Sequence, residues 1–111
     1  MALVTRKEII KDVQNFLVEL SNPFSNENTK GGWTDKTRET AISFFRLLEL
    51  DLNDRSVDFS KKEGYSNLVR GLDFWGITDG PLFESALNIS NKVRKLSKIE
   101  NEWILGMLFG F

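Results

Sequence analysis

Oxygen-bearing side chains crowd one short stretch, Asp51, Asn53, Asp54, Ser56 and Asp58, and oxygen donors at that density are what a calcium ion takes as ligands. An EF-hand loop also needs an oxygen donor at its fifth position, glycine at its sixth and glutamate at its twelfth. Counted from Asp51, those positions hold Arg55, Ser56 and Lys62. Three diagnostic positions fail, so the expected form is a polar loop whose Asp and Asn side chains bond their own backbone. No metal and no cofactor is expected.

The chain has no histidine and no cysteine. The commonest general base, the commonest metal ligand and the thiolate nucleophile are thereby missing. A serine nucleophile would need a lysine or carboxylate base that no motif points to. Gly31 and Gly32 lack the flanking spacing of a phosphate-binding loop. No catalytic residue is therefore assigned. The 16 acids alternate with 15 Lys and Arg along the chain, the pattern of solvated helix faces.

Lys92, Arg94, Lys95 and Lys98 could touch phosphate, but aromatics are not interleaved with them as in a single-strand binder. The net charge of −1 likewise gives no basic surplus for duplex binding. Nucleic acid is not expected as a partner. No stretch approaches the roughly 18 apolar residues of a membrane span, and the N-terminus has no signal-peptide pattern. A cytoplasmic location and no membrane partner are expected.

Surfaces for another protein remain. The candidate residues are Phe24 and Trp33 in and after a polar loop, Asp51, Asp54 and Asp58 in the acidic stretch, and Trp103, Met107, Phe109 and Phe111 at the apolar C-terminal end. Trp33 either closes its loop over the core or presents a rigid ring to a partner, since an amphipathic ring suits both uses. The segment 103–111 is either a helix docked in the core or a groove-filling interface, including one in a homodimer. Tyr65 and Trp75 fall on an apolar helical stripe and are expected in the core.

Helices must position these residues. Thr5 and Glu8 have capping-box spacing, Val4 and Ile9 have staple spacing, and Ile9, Val13, Phe16, Leu17 and Leu20 form one stripe that ends before Pro23. Residues 22–32 read as one long polar loop. Thr34 or Asp35 caps a second helix to about Leu50, burying Ala41, Phe44, Phe45 and Leu48, with Leu52 at the edge of the same face. Val57 and Phe59 should draw the following stretch back onto the domain. Ser60 and Glu63 have the spacing to open a helix with Tyr65, Leu68, Val69, Leu72 and Trp75 on one side, closed by Gly76. Gly80 and Pro81 open a helix with a stripe at Leu82, Ala86, Ile89, Val93 and Leu96. Ser97 and Glu100 suggest a separate, short terminal helix.

The expected fold is all-α, a compact single-domain bundle of four to five helices over residues 1–111, with one long polar loop between the first two. The expected function is a non-enzymatic protein-binding module, such as a small inhibitor, antitoxin or immunity-type protein. The alternative is a small carboxylate- and lysine-dependent enzyme or a nucleic-acid-processing accessory factor.

Overall fold

The computed structural model describes residues 4–66 and 68–109, and the side chains of these except 63, 66, 69 and 102–109. Among the described residues, six α-helical segments and one 3₁₀ turn follow in order: α1 (Arg6–Ser21), α2 (Asn26–Lys30), α3 (Asp35–Asn53), the turn Phe59–Lys61, α4 (Glu63–Ser66), α5 (Leu68–Phe74) and α6 (Pro81–Phe109). This is an all-α bundle, with no strand among the described residues.

The long helix α6 is the spine. Helix α1 packs against both α3 and α6, while α2, α4, α5 and the 3₁₀ turn all pack on α6. Its stripe buries Leu82, Ala86, Ile89, Val93 and Leu96 against Ile9, Val13, Phe16 and Leu20 of α1 and Ala41, Phe45, Leu48 and Leu52 of α3. Each of the larger aliphatic and aromatic side chains contributes about 1.5–3 kcal/mol when taken fully out of water, so one shared core holds the three long helices.

Helix α1 begins where Thr5 Oγ1 accepts a hydrogen bond from the Glu8 amide at 3.2 Å. Helix α3 begins at Thr34, whose hydroxyl accepts from the Thr37 amide while Thr37 Oγ1 accepts from the Thr34 amide. Neither α1 nor α3 has a basic residue in its last turn, where a cation would offset the exposed carbonyls. Each instead receives an arginine from the start of the other. Arg6 of α1 donates to the carbonyls of Asp51, Leu52 and Asp54 at the end of α3. Arg38 of α3 donates to the Leu20 and Asn22 carbonyls at the end of α1. That exchange sets the two helices antiparallel.

Four boundaries differ from the sequence expectation. Residues 22–32 are not one open loop: Ser25 caps the single-turn helix α2 by accepting from the Asn28 amide. Helix α3 runs a turn further than Leu50, to Asn53, so Asp51 is helical rather than in a loop. Ser60 does not open a helix, because Asp58 takes the cap position and accepts from the Ser60 amide at 2.9 Å. Ser97 and Glu100 do not start a new helix either: α6 continues through them for 29 residues, and Glu100 is spent on Arg6.

The turn after α5 closes as expected. Gly76 has φ +83°, its amide bonds the Asp73 carbonyl, and the Ile77 amide bonds the Leu72 carbonyl at 2.9 Å. These two bonds make a Schellman cap, with Leu72 and Ile77 both fully buried beside it.

Candidate functional site

The segment from Asp51 to Tyr65 has a cleft on each side. The larger, about 360 Å³, is lined by Arg6, Arg55, Val57, Asp58, Ile99 and Glu100. The second, about 290 Å³, is lined by Phe44, Leu47, Asp51, Lys62, Gly64 and Tyr65. Between them Phe59 is fully buried and stacks on Tyr65, with ring centroids 5.7 Å apart. The pull of Val57 and Phe59 back onto the domain, expected from their apolar character, is what builds this wall.

Arg6 holds the first cleft together. Its Nε and Nη2 grip both oxygens of Glu100 at 2.9 and 2.7 Å, and Nη2 also donates to the Val57 carbonyl. Glu100 Oε1 accepts from the Phe59 amide at 3.1 Å. The guanidinium lies 4.9 Å from the centre of the Phe59 ring. Every N–H of this arginine is thus engaged inside the protein, and a pair held this way is structural before it is anything else.

The three acidic candidates are likewise engaged. Asp54 Oδ1 accepts from the Ser56 amide and hydroxyl at 2.9 and 2.7 Å. Asp58 Oδ1 accepts from the Ser60 amide and hydroxyl at 2.9 and 2.6 Å. The serine hydroxyl bond is the main reason each carboxyl sits below the ordinary carboxylate range. Asp51 Oδ2 accepts from the Tyr65 hydroxyl at 2.5 Å. The stretch therefore bonds itself, and among the described residues no three acids gather where a metal ion could sit. Asp51 faces the second cleft, Asp58 the first, and Asp54 lies at the end of α3 beside them.

Phe24 and Trp33 lie elsewhere, and together. Their ring centroids are 5.8 Å apart, and Arg38 covers the Phe24 ring at 3.9 Å. Trp33 is only 1% exposed, so it closes its loop over the core and offers no ring at the surface. Its other neighbour is Phe16 at 6.2 Å. Phe24 is half-buried against the same cluster. The backbone of Trp103, Met107 and Phe109 belongs to α6, but their side chains, and all of Phe111, lie outside the described residues. Trp75 is half-buried rather than core, its ring edge-on to Phe44 at 6.4 Å.

Several surface residues were not singled out by the sequence. Leu47 and Leu50, one helical step apart on α3, are 53% and 68% exposed. Val18 is 64% exposed and Phe74 88%. Their signal was available: each falls off the apolar stripe of its own helix, where a large apolar side chain has no core to enter. Leu47 also lines the second cleft with Phe44 and Tyr65, and Leu50 lies one turn further along α3.

No family model, no curated protein and no solved structure matches the chain. Among the described residues no helix is long and apolar enough to cross a membrane.

Tyr65 supplies a test of this geometry. Burial first, then the bond to Asp51 and the charge of Asp51, push its phenol well above its ordinary value of 10.0. The folded protein therefore holds the phenol proton more tightly than the unfolded chain does. The resulting stability is complete below pH 10 and is lost as pH rises above it, where the unfolded tyrosine ionises first. Tyr65→Phe should show a smaller drop in denaturation midpoint between about pH 8 and pH 11 than the parent. Equal drops in the two proteins would show that Tyr65 is not protected in this way.

Proposed function

We propose that this chain is a non-enzymatic protein-binding module that docks on another protein through the surface around residues 47–65. The observation that carries it is the pair of exposed leucines on α3, Leu47 and Leu50, beside the cleft that Leu47, Phe44 and Tyr65 line. A lone exposed leucine is ordinary, but adjacent exposed leucines running into a cleft mark a contact surface. The aromatic cluster behind it, Phe44, Phe45, Tyr65 and Trp75, gives a stiff backing, which lowers the entropy lost on docking. The acids in the adjoining stretch are committed to internal bonds, which supports a shaping role for them rather than a chemical one.

A small inhibitor, antitoxin or immunity-type protein acting in the cytoplasm fits this reading, because such proteins need surface and rigidity and no active site. Its partner would be a larger protein whose own site it covers. Self-association through residues 103–111 would be a second use of surface in the same module.

The test is a paired substitution, Leu47→Asp with Leu50→Asp. Both residues are exposed, so helicity and denaturation midpoint should stay within about 0.5 kcal/mol of the parent. Affinity for a protein that co-purifies with the parent chain should fall at least tenfold, as expected when apolar anchors become charged. An unchanged affinity would reject this surface. A parent chain that runs as a strict monomer and brings down nothing from its native cell would count against the function itself.

A further inference from the structure

Phe74 is the most exposed large apolar side chain among the described residues. The half-buried Phe24 ring is covered by Arg38 at 3.9 Å, but no cation covers Phe74 among the described residues. Phe74 ends α5, whose inner face buries Leu68 and Leu72. Arg70, Asp73 and Phe74 are all exposed and share the outer face, because residues three and four apart in a helix are neighbours. Beside them, at the turn into α6, opens a cleft of about 280 Å³ lined by Arg70, Asp73, Ile77, Thr78 and Phe83. Ile77 is buried and Phe83 half-buried, which makes its floor apolar. The Phe74 ring is not part of this lining. Of the described lining residues, Arg70 is the cation and Asp73 the anion. They are three residues apart yet not paired with each other, and neither side chain has another partner among the described residues.

We propose that this face binds a second copy of the chain about a two-fold axis, the Phe74 ring of each protomer entering the cleft of the other while Arg70 of each meets Asp73 of the other. In a two-fold contact one patch serves both sides, so it must carry both a projection and a recess, and both signs of charge. This patch has a ring next to a cleft, and a cation three residues from an anion. Balanced charge favours neither an acidic nor a basic partner, but it is complementary to its own two-fold image. An aromatic ring is also the kind of side chain on which such contacts centre, since it buries much area at little cost in rotamer freedom. The contact is confined to one short helix and a turn, so it belongs to the weak, transient class. It shares no residue with the surface around residues 47–65, and it stands or falls apart from the protein-binding reading.

The test is sedimentation velocity on the full chain from roughly 20 µM to 1 mM, the range in which a contact this small populates a dimer. The parent should pass from monomer to dimer and no further, since a two-fold contact closes on itself. Phe74→Asp, at an exposed position, should keep its helicity and stay monomeric throughout. Arg70→Asp alone and Asp73→Arg alone each turn two attractive pairs into two repulsive ones, and each should weaken the dimer about tenfold. Mixed in equal amounts, these two variants should associate at least as tightly as the parent, because one chain then brings two carboxylates and the other two guanidinium groups. Leu47→Asp with Leu50→Asp should dimerise like the parent. A parent that stays monomeric at about 1 mM, a dimer that survives Phe74→Asp, a mixture no tighter than either charge variant alone, or species that grow beyond the dimer would each overturn the proposal. If the parent stays monomeric and Phe74→Asp loses a native protein partner, the face belongs to that protein and the two-fold pairing is rejected. A dimer lost in Leu47→Asp with Leu50→Asp but kept in Phe74→Asp would reject it in favour of the surface around residues 47–65.

Discussion

Gly32→Ala is expected to destabilise the protein by about 3 kcal/mol or more, the range reached when backbone strain and a steric clash act together. Gly32 has φ +111°, and a Cβ there would lie 1.9 Å from the Gly76 carbonyl oxygen. Its neighbour Gly31 has an ordinary helical φ of −73°, yet a Cβ on it would lie 1.8 Å from the Asp79 carbonyl oxygen. Two stretches of backbone cross here with no room for a side chain. The Thr78 amide donates to the Gly31 carbonyl at 2.9 Å, and Asn28 Oδ1 accepts from the Leu82 amide at 3.0 Å, which caps α6 where Gly80 has no side chain to do so. Three other glycine positions separate strain from crowding. Gly76→Ala meets only a positive φ, +83°, with open space around it, and should cost about 1–2 kcal/mol. Gly71→Ala meets nothing within 4 Å inside α5 and should be neutral or stabilising by up to about 1 kcal/mol. Gly31→Ala should resemble Gly32→Ala although its backbone is unstrained. Denaturation midpoints give the ranking directly, and a Gly31→Ala protein as stable as the parent would mean that the crossing is not tight.

That crossing shows where sequence reasoning stops. The stripes at residues 9–20, 41–52 and 82–96 were legible because a helix repeats its buried face every three or four residues, a local property. Thr5, Thr34, Pro81 and Gly76 were legible as punctuation for the same reason. Gly31 and Gly32 read only as backbone freedom, because what makes them necessary is backbone more than forty residues away. Ser60 with Glu63 and Ser97 with Glu100 had capping-box spacing, yet neither serine opens a helix. At Ser60 a better acceptor, Asp58, stood two residues upstream; at Ser97 the helix was already running, and Glu100 was drawn to Arg6. Of the partner-binding candidates, Asp51 and Asp58 line clefts and Asp54 stands beside them, but Trp33 went to the core. The exposed surface at Leu47 and Leu50 was hidden only because attention goes to residues on a stripe. Off-stripe leucines carry the opposite signal, and it is equally readable.

Arg6 is the residue whose loss should be felt furthest from its own position. Arg6→Met would leave Glu100 with no cation, the α3 carbonyls of Asp51, Leu52 and Asp54 without their donor, and the Val57 carbonyl unpaired. Removing one partner of a buried pair costs about 3–5 kcal/mol. Here the two side chains are 21% and 20% exposed, so water can reach what is left behind, and about 2–3 kcal/mol is expected. Arg6→Lys should recover only part of this, since an ammonium cannot grip both Glu100 oxygens and reach three carbonyls at once. Glu100→Gln should cost less than Arg6→Met, because the carbonyl contacts of Arg6 survive it. The decisive comparison is the double variant Arg6→Met with Glu100→Leu. If the Arg6 deficit comes mainly from a stranded carboxylate, the double variant should be more stable than Arg6→Met alone. If it comes mainly from uncapping α3, the double variant should be no better, and amide exchange should quicken at the end of α3 rather than along α6. A full loss with Arg6→Met and none with Glu100→Gln would assign the clamp to the backbone carbonyls. The reverse would make the Glu100 pair, and with it the wall of the larger cleft, the part that Arg6 chiefly maintains.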